Sequence, residues 1–168
     1  MTKVSVLFPV YNTKEAYLRA AIESILKQTY QDFEFLIVND ASTDENVEKI
    51  VKSYDDERIR YFINERNLGI SKTRNKLLDL ADGEYLAVMD HDDVSLPLRF
   101  EKQVTFLDEN PEVGVVGSQY ERLPGGKLSF NFTDDKDIKL ALFRSSPIAH
   151  PSAMIRKSVL LNNNIRYE

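Results

Sequence analysis

The chain has 168 residues, 42% of them hydrophobic, which suffices to bury one sizeable core and predicts a single domain. It contains no cysteine, which excludes a disulfide framework, a thiolate metal site and a cysteine nucleophile. With 22 Lys and Arg against 27 Asp and Glu, the net charge of −5 argues against nucleic acid as a partner. An anionic ligand on such a chain needs local help from a metal, a helix N-terminus or individual cations.

Val4-Ser5-Val6-Leu7-Phe8 is β-rich and stops at Pro9. A strand beginning at Val4 leaves no room for a signal peptide, and no apolar run is long enough to span a bilayer, so a cytoplasmic location is expected. Thr13 reads as the N-cap of a helix whose stripe is Leu18, Ala21, Ile22, Ile25 and Leu26, ending near Gln28. Phe33 to Val38 is a second apolar strand. Ser42 with Glu45 forms a capping box ahead of Val47, Ile50 and Val51. Arg58 to Ile63 is a shorter third strand. After Asn67-Leu68-Gly69 a helix is predicted from Ile70 to Ala81, then a strand over Tyr85–Met89. Pro97 opens a helix carrying Phe100, Val104, Phe106 and Leu107. Such alternation implies a mostly parallel sheet with right-handed crossovers, and the unbroken apolar runs imply helices on both faces.

The last third changes character. Val113 to Tyr120 reads as a strand, Leu123-Pro124-Gly125-Gly126-Lys127 as a turn, and Leu128, Phe130 and Phe132 as the return arm of a hairpin. Asp134 to Phe143 looks helical, and His150 to Ile155 reads as a strand start. No internal repeat or interdomain linker is visible.

Three loops are expected at the carboxyl edge of the sheet, where ligands bind in open α/β folds. The loop Pro9-Val10-Tyr11-Asn12 offers the Tyr11 ring to a flat base, although core packing explains Tyr11 equally well. Asp40 ends the second strand and can accept hydrogen bonds from a base or ribose, or cap the helix that follows. The third loop brings Asp90, His91, Asp92 and Asp93 together. Carboxylates this close repel unless something positive sits among them, and hard oxygens suit Mg²⁺ or Mn²⁺ carrying a phosphorylated ligand. An acidic, solvated loop is the plain alternative. His91 is a candidate for contact with the metal or a diphosphate. In Asn67-Leu68-Gly69-Ile70-Ser71-Lys72-Thr73-Arg74-Asn75, a glycine turn, a helix N-terminus and two cations, Lys72 and Arg74, together favour phosphate. There is no Walker-type loop and no G-x-G-x-x-G.

Taken together, Val4–Asn12 (VSVLFPVYN), Phe35–Asp44 (FLIVNDASTD), Asn67–Asn75 (NLGISKTRN), Gly83–Asp93 (GEYLAVMDHDD) and Pro97–Gln103 (PLRFEKQ) resemble the family-2 glycosyltransferases of GT-A fold. The resemblance covers almost the whole chain, in the family's order and spacing. It implies a Rossmann-like three-layer α/β/α domain over residues 1–168. It also implies metal-dependent, inverting transfer of a sugar from a nucleotide-diphosphate donor, UDP-sugar first, to a hydroxyl of a carbohydrate or lipid-linked acceptor. Cell-surface polysaccharide or glycoconjugate synthesis is the implied setting, in the cytoplasm or peripheral to the inner membrane face. Pro9, Tyr11 and Asp40 then cradle the nucleotide. Asp90 and Asp92 form the Asp-x-Asp motif, Asp90 near the ribose and Asp92 on the metal. Lys72 and Arg74 match the basic region after the glycine turn, and the tract around His150 lines the donor and acceptor side.

The family's general base lies in a later acidic pair. Tyr167-Glu168 resembles the approach to it, so the base is expected beyond Glu168. On that reading these residues bind donor and transfer little, and Leu161–Glu168 is loosely held. A donor-binding but catalytically incomplete module is therefore one alternative. A sugar-1-phosphate nucleotidyltransferase is another, although it wants a Gly-rich basic loop where this chain has Pro9-Val10-Tyr11-Asn12. A receiver-type signalling domain needs acids just after its first strand, and Phe8-Pro9-Val10 offers none.

Overall fold

A computed structural model describes residues 2–168. The elements alternate through the first two thirds: β1 (Val4–Val10), α1 (Glu15–Leu26), β2 (Phe33–Asn39), α2 (Asn46–Lys52), β3 (Ile59–Ile63), α3 (Ile70–Leu80), β4 (Tyr85–Val88) and α4 (Arg99–Glu109). Then come β5 (Val115–Val116), α5 (Asp135–Ala141), a 3₁₀ turn over His150–Ser152, β6 (Met154–Arg156) and α6 (Lys157–Asn162). The sheet order is β3-β2-β1-β4-β6-β5. β1 to β4 are parallel, and β6 runs antiparallel to both β4 and β5.

Alternation along the strands sorts side chains between the two helical layers. Val4, Val6, Phe8 and Val10 of β1, with Phe33, Phe35 and Ile37 of β2, join the cluster containing Leu18, Ile22 and Ile25 of α1 and Phe100, Val104 and Leu107 of α4. Leu7, Leu36, Val38, Leu86 and Val88 point the other way and join Leu77, Leu78 and Ala81 around α3. The result is the expected α/β/α sandwich.

Strand order reverses between β1 and β4, so the crevice beyond their carboxyl ends is the switch point of the sheet. Pro9 does not stop β1. It pairs in register with Val38, while the β1–β4 ladder ends at Leu7–Val88. Met89 donates to the Leu7 carbonyl, which places the backbone of odd-numbered β1 residues on the β4 side. Proline's missing N–H therefore falls where β4 no longer runs alongside.

The structure corrects several local expectations. Thr13 caps nothing: α1 starts at Glu15 after an extended Lys14, and the Thr13 hydroxyl is buried without a partner. The Ser42–Glu45 capping box does not form, because Ser42 accepts from the Asn12 amide instead and α2 begins only at Asn46. The strand expected over Val113–Tyr120 shrinks to Val115–Val116, since short β6 offers it only two partners. The hairpin beyond reduces to one bridge, Glu121 to Leu128, with Leu128, Phe130 and Phe132 all exposed. On α4, Phe106 faces outward. No helix among the described residues is long and apolar enough to cross a membrane.

Candidate active site

At the switch point lies a cleft of about 290 Å³ lined by Pro9, Val10, Tyr11, Asp40, Asn67, Gly69, Ile70, Thr73 and His91. Six of these are among the residues the sequence singled out. The other three, Asn67, Ile70 and Thr73, enter the sequence reading only as part of the Asn67–Asn75 stretch, and the helix periodicity of α3 could have flagged Thr73 as inward-facing. Tyr11 is 42% exposed, so its ring belongs to the cleft wall rather than to the core against α1.

Asp40 is the centre of the wall. Only 4% exposed, it does not cap α2. Instead its carboxylate accepts from Asn64 Nδ2 at 2.7 Å and from the amides of Leu68 and Gly69 at 2.9 Å each. Burial alone would push the Asp40 carboxyl up. The Leu68 amide, Asn64, Thr73 and the Gly69 amide outweigh burial and hold it below the ordinary carboxylate range. The turn it fixes has Gly69 at φ 84, a left-handed conformation suited to glycine, immediately before α3. No side chain caps α3, so the first amides of the helix are left for a ligand.

The β1 and β2 loops are stitched together. Asn12, at φ 48, does not face the cleft: its Oδ1 accepts from the Thr43 amide at 2.8 Å and from the Thr43 hydroxyl at 3.2 Å, while its amide donates to Ser42 Oγ at 3.0 Å. Ser42 N–H donates to Asn39 Oδ1, and Asp40 N–H donates to the Val10 carbonyl. Ala41 sits between these bonds at φ 56, in a region alanine rarely adopts.

The acidic loop is anchored from beneath. Arg99 donates to the carbonyls of Val88 at 2.9 Å and Ala153 at 3.2 Å and to Gln103 Oε1 at 3.0 Å, tying the end of β4 to the approach to β6. Burial pulls the Arg99 guanidinium down to about 10. Its role is not legible in the sequence, because a cation that serves carbonyls looks like any surface arginine.

Arg74 Nη2 donates to Asp90 Oδ1 at 2.8 Å, so Asp90 is already engaged in an ion pair. Asp92, Asp93 and Lys72 are exposed, and neither they nor Arg74 and Asp90 are among the cleft-lining residues, so the acidic loop reaches the cleft through His91. The Asp93 carboxyl is pushed up, first by desolvation and then by the charges of Asp90 and Asp92. His91 lines the cleft with a buried, unpartnered Nδ1. Among the described residues, no three His, Asp or Glu side chains converge as a ready-made metal cage. The loop still fits a hard divalent cation that brings phosphate and water oxygens with it, since such an ion needs only one or two carboxylates and the crowding around Asp93 is what it would relieve.

A larger groove of about 700 Å³ lies outside α2, lined by Asp44, Glu45, Glu48, Lys49 and Lys52 among others. Its charges are paired along the helix, Lys49 with Glu45 and Lys52 with Glu48. It therefore has little charge left for a ligand.

Comparisons with known proteins bear on the family and the fold. The family model for glycosyl transferase family 2 matches residues 5–162. An uncharacterized glycosyltransferase of Methanocaldococcus jannaschii is 38% identical over 164 residues, covering 94% of this chain and 57% of that protein. The crystal structure of S. aureus TarS 1–349 in complex with UDP superimposes with a TM-score of 0.81 at 26% identity, covering 99% of this chain and 50% of TarS 1–349. The crystal structure of TarS 1–349 in complex with UDP-GlcNAc matches at 25% identity with the same TM-score of 0.81, covering 99% of this chain and 48% of that one. The chain thus spans about half the length of these relatives. By sequence and by fold, it belongs to glycosyl transferase family 2.

Proposed function

We propose that residues 1–168 form one GT-A domain holding the donor side of an inverting, metal-dependent glycosyltransferase, with a UDP-sugar as donor. The observation that carries the reading is the cleft itself, where Tyr11, Asp40, the uncapped start of α3 and the Asp90–Asp93 loop meet at the switch point. TarS, solved with UDP and with UDP-GlcNAc, supports the choice of nucleotide.

In this reading the Tyr11 ring stacks on the base and Asp40 holds the turn beneath it, its remaining lone pairs facing the nucleoside. The amides of α3, with Arg74, receive phosphate charge. Asp92, with Asp93 beside it, would hold Mg²⁺ or Mn²⁺. The chemistry such a cation supplies is neutralisation of charge growing on the nucleoside-diphosphate leaving group. A carbohydrate or lipid-linked hydroxyl, of the kind used in cell-surface polysaccharide or glycoconjugate synthesis, is the acceptor.

Calorimetric titration with UDP, ADP and GDP, with and without Mn²⁺, tests the reading. UDP is expected to bind more tightly than the other two and more tightly with Mn²⁺, and to raise the melting temperature. Equal affinity for all three diphosphates would sink the base assignment. Tight UDP binding without sugar transfer would identify a donor-binding module.

A further inference from the structure

Beyond the stretch matched by the family model, Arg166 and Tyr167 dock across α3. Arg166 pairs with Asp79 at 2.7 Å. Asn75 clasps the Tyr167 main chain from both sides, its Nδ2 donating to the carbonyl at 2.8 Å and its Oδ1 accepting from the amide at 3.0 Å. The Tyr167 hydroxyl meets His150 Nε2 at 3.0 Å, and the two rings pack edge to face with centroids 5.6 Å apart. The segment expected to be loosely held is thus fixed through main chain, ring and hydroxyl.

The Tyr167 ring also meets a cation. The guanidinium of Arg74 lies 5.6 Å from its centroid, while Nη2 of the same arginine holds Asp90. Arg74 Nε is buried and has no hydrogen-bond partner. Among the described residues, the bond to Asp90 and the Tyr167 ring are thus the two directional contacts that the guanidinium makes. A flexible side chain serving an anionic ligand gains most when its orientation is set before the ligand arrives.

We propose that Tyr167, clamped by Asn75 and His150, is a positioning residue that sets Arg74 against Asp90 and so pre-organises the donor site. The inference rests on the reading of that cleft as a nucleotide site. It makes the chain after α6 part of the donor site, although it is remote in sequence from every strand-end motif.

The test is a double-mutant cycle on UDP affinity in the presence of Mn²⁺, using Tyr167→Leu, Arg74→Ala and the pair, with melting temperatures measured in parallel. A guanidinium–aromatic contact of this kind is worth about 0.5–2 kcal/mol, so Tyr167→Leu should weaken UDP binding by roughly two- to thirtyfold. Tyr167→Phe, which keeps the ring but loses the hydroxyl, should recover most of that loss. In the Arg74→Ala background the Tyr167→Leu effect should vanish, because Tyr167 acts through Arg74. A loss of equal size in both backgrounds would show that Tyr167 only supports the fold and would overturn the proposal. Wild-type protein that binds no UDP would instead overturn the nucleotide reading itself, and the positioning role with it.

Discussion

Around the cleft, the wall built from the β1, β2 and β3–α3 loops is bonded to itself through Asp40, Asn12, Ser42 and Asn64, whereas the Asp90–Asp93 loop opposite has one side-chain bond, from Arg74. The first wall is held by its own hydrogen bonds before any ligand arrives. The second presents exposed carboxylates that repel one another and gain stability only when positive charge joins them. On the proposed reading, one half of the site is organised by folding and the other by its ligand: a nucleoside would meet a fixed shape, while a metal–phosphate unit would bring its own geometry.

The strongest way to break this contrast is Asp40→Ala. It strips the Leu68 and Gly69 amides and Asn64 of their acceptor in a buried setting, for an expected loss of about 3–4 kcal/mol in chemical denaturation. A loss below about 1 kcal/mol would show that the turn holds itself, and the self-bonded wall would lose its centre. Asn12→Ala should cost less, about 1–2 kcal/mol, through lost bonds to Thr43 and a left-handed φ of 48 that alanine resists. Asn12→Gly, which accepts that φ, should cost less than Asn12→Ala. The reverse order would mean that the left-handed backbone carries no strain in alanine.

Acid should separate the Asp40 turn from the His150–Tyr167 contact by pH. Burial, with the Arg74 charge, pulls His150 down, so the unfolded chain takes up that proton first. Stability from His150 is therefore complete above about pH 6.5 and falls as pH drops from there toward the lowered folded value. Asp40, held low by its donors, contributes stability that is present above about pH 3.9 and is lost only as pH falls through its folded value. A denaturation series across pH should show the first decline disappear in His150→Asn and the second persist. The smallest stability effect belongs to Asp92→Asn, which should leave the metal-free protein within about 0.5 kcal/mol of wild type, on the stable side, while weakening Mn²⁺-dependent UDP binding. Marked unfolding of that variant would give Asp92 a structural role and end the contrast between the walls.

What the sequence makes legible follows the same division. Strands β1 to β4 and helices α1, α3 and α4 are readable because period-2 and period-3.6 patterns report burial directly. The placement of Asp90 to Asp93 at a strand end is readable because they directly follow an apolar run, whereas whether they serve a ligand or only solvent is not. Asp40 is readable too, yet its bond partners Asn64, Leu68 and Gly69 lie more than twenty residues away, and no local pattern encodes such a match. Thr13 and Ser42 carry good capping chemistry, but α1 starts beyond Thr13 and Ser42 is drawn into the loop-to-loop bonds of Asn12. The hairpin over Leu123–Phe132 has the right turn residues but lacks a sheet to lie against, and alternation without a surface to cover does not make a strand.

Gly83 has a bearing on the acidic loop although it lies at the opposite end of β4. Its amide donates to Ser5 Oγ at 2.8 Å, and a Cβ there would come within 2.6 Å of the Ser5 backbone nitrogen. Nothing but glycine fits, so β4 begins at a fixed height beside β1, and the distance from Gly83 to Asp90 works as a ruler. Because strand side chains alternate, removing one residue between these marks would shorten the ruler and also exchange the faces presented, turning inward what now turns outward. Insertions and deletions in this short strand should therefore be tolerated far less than the same changes in the loop beyond Asp93.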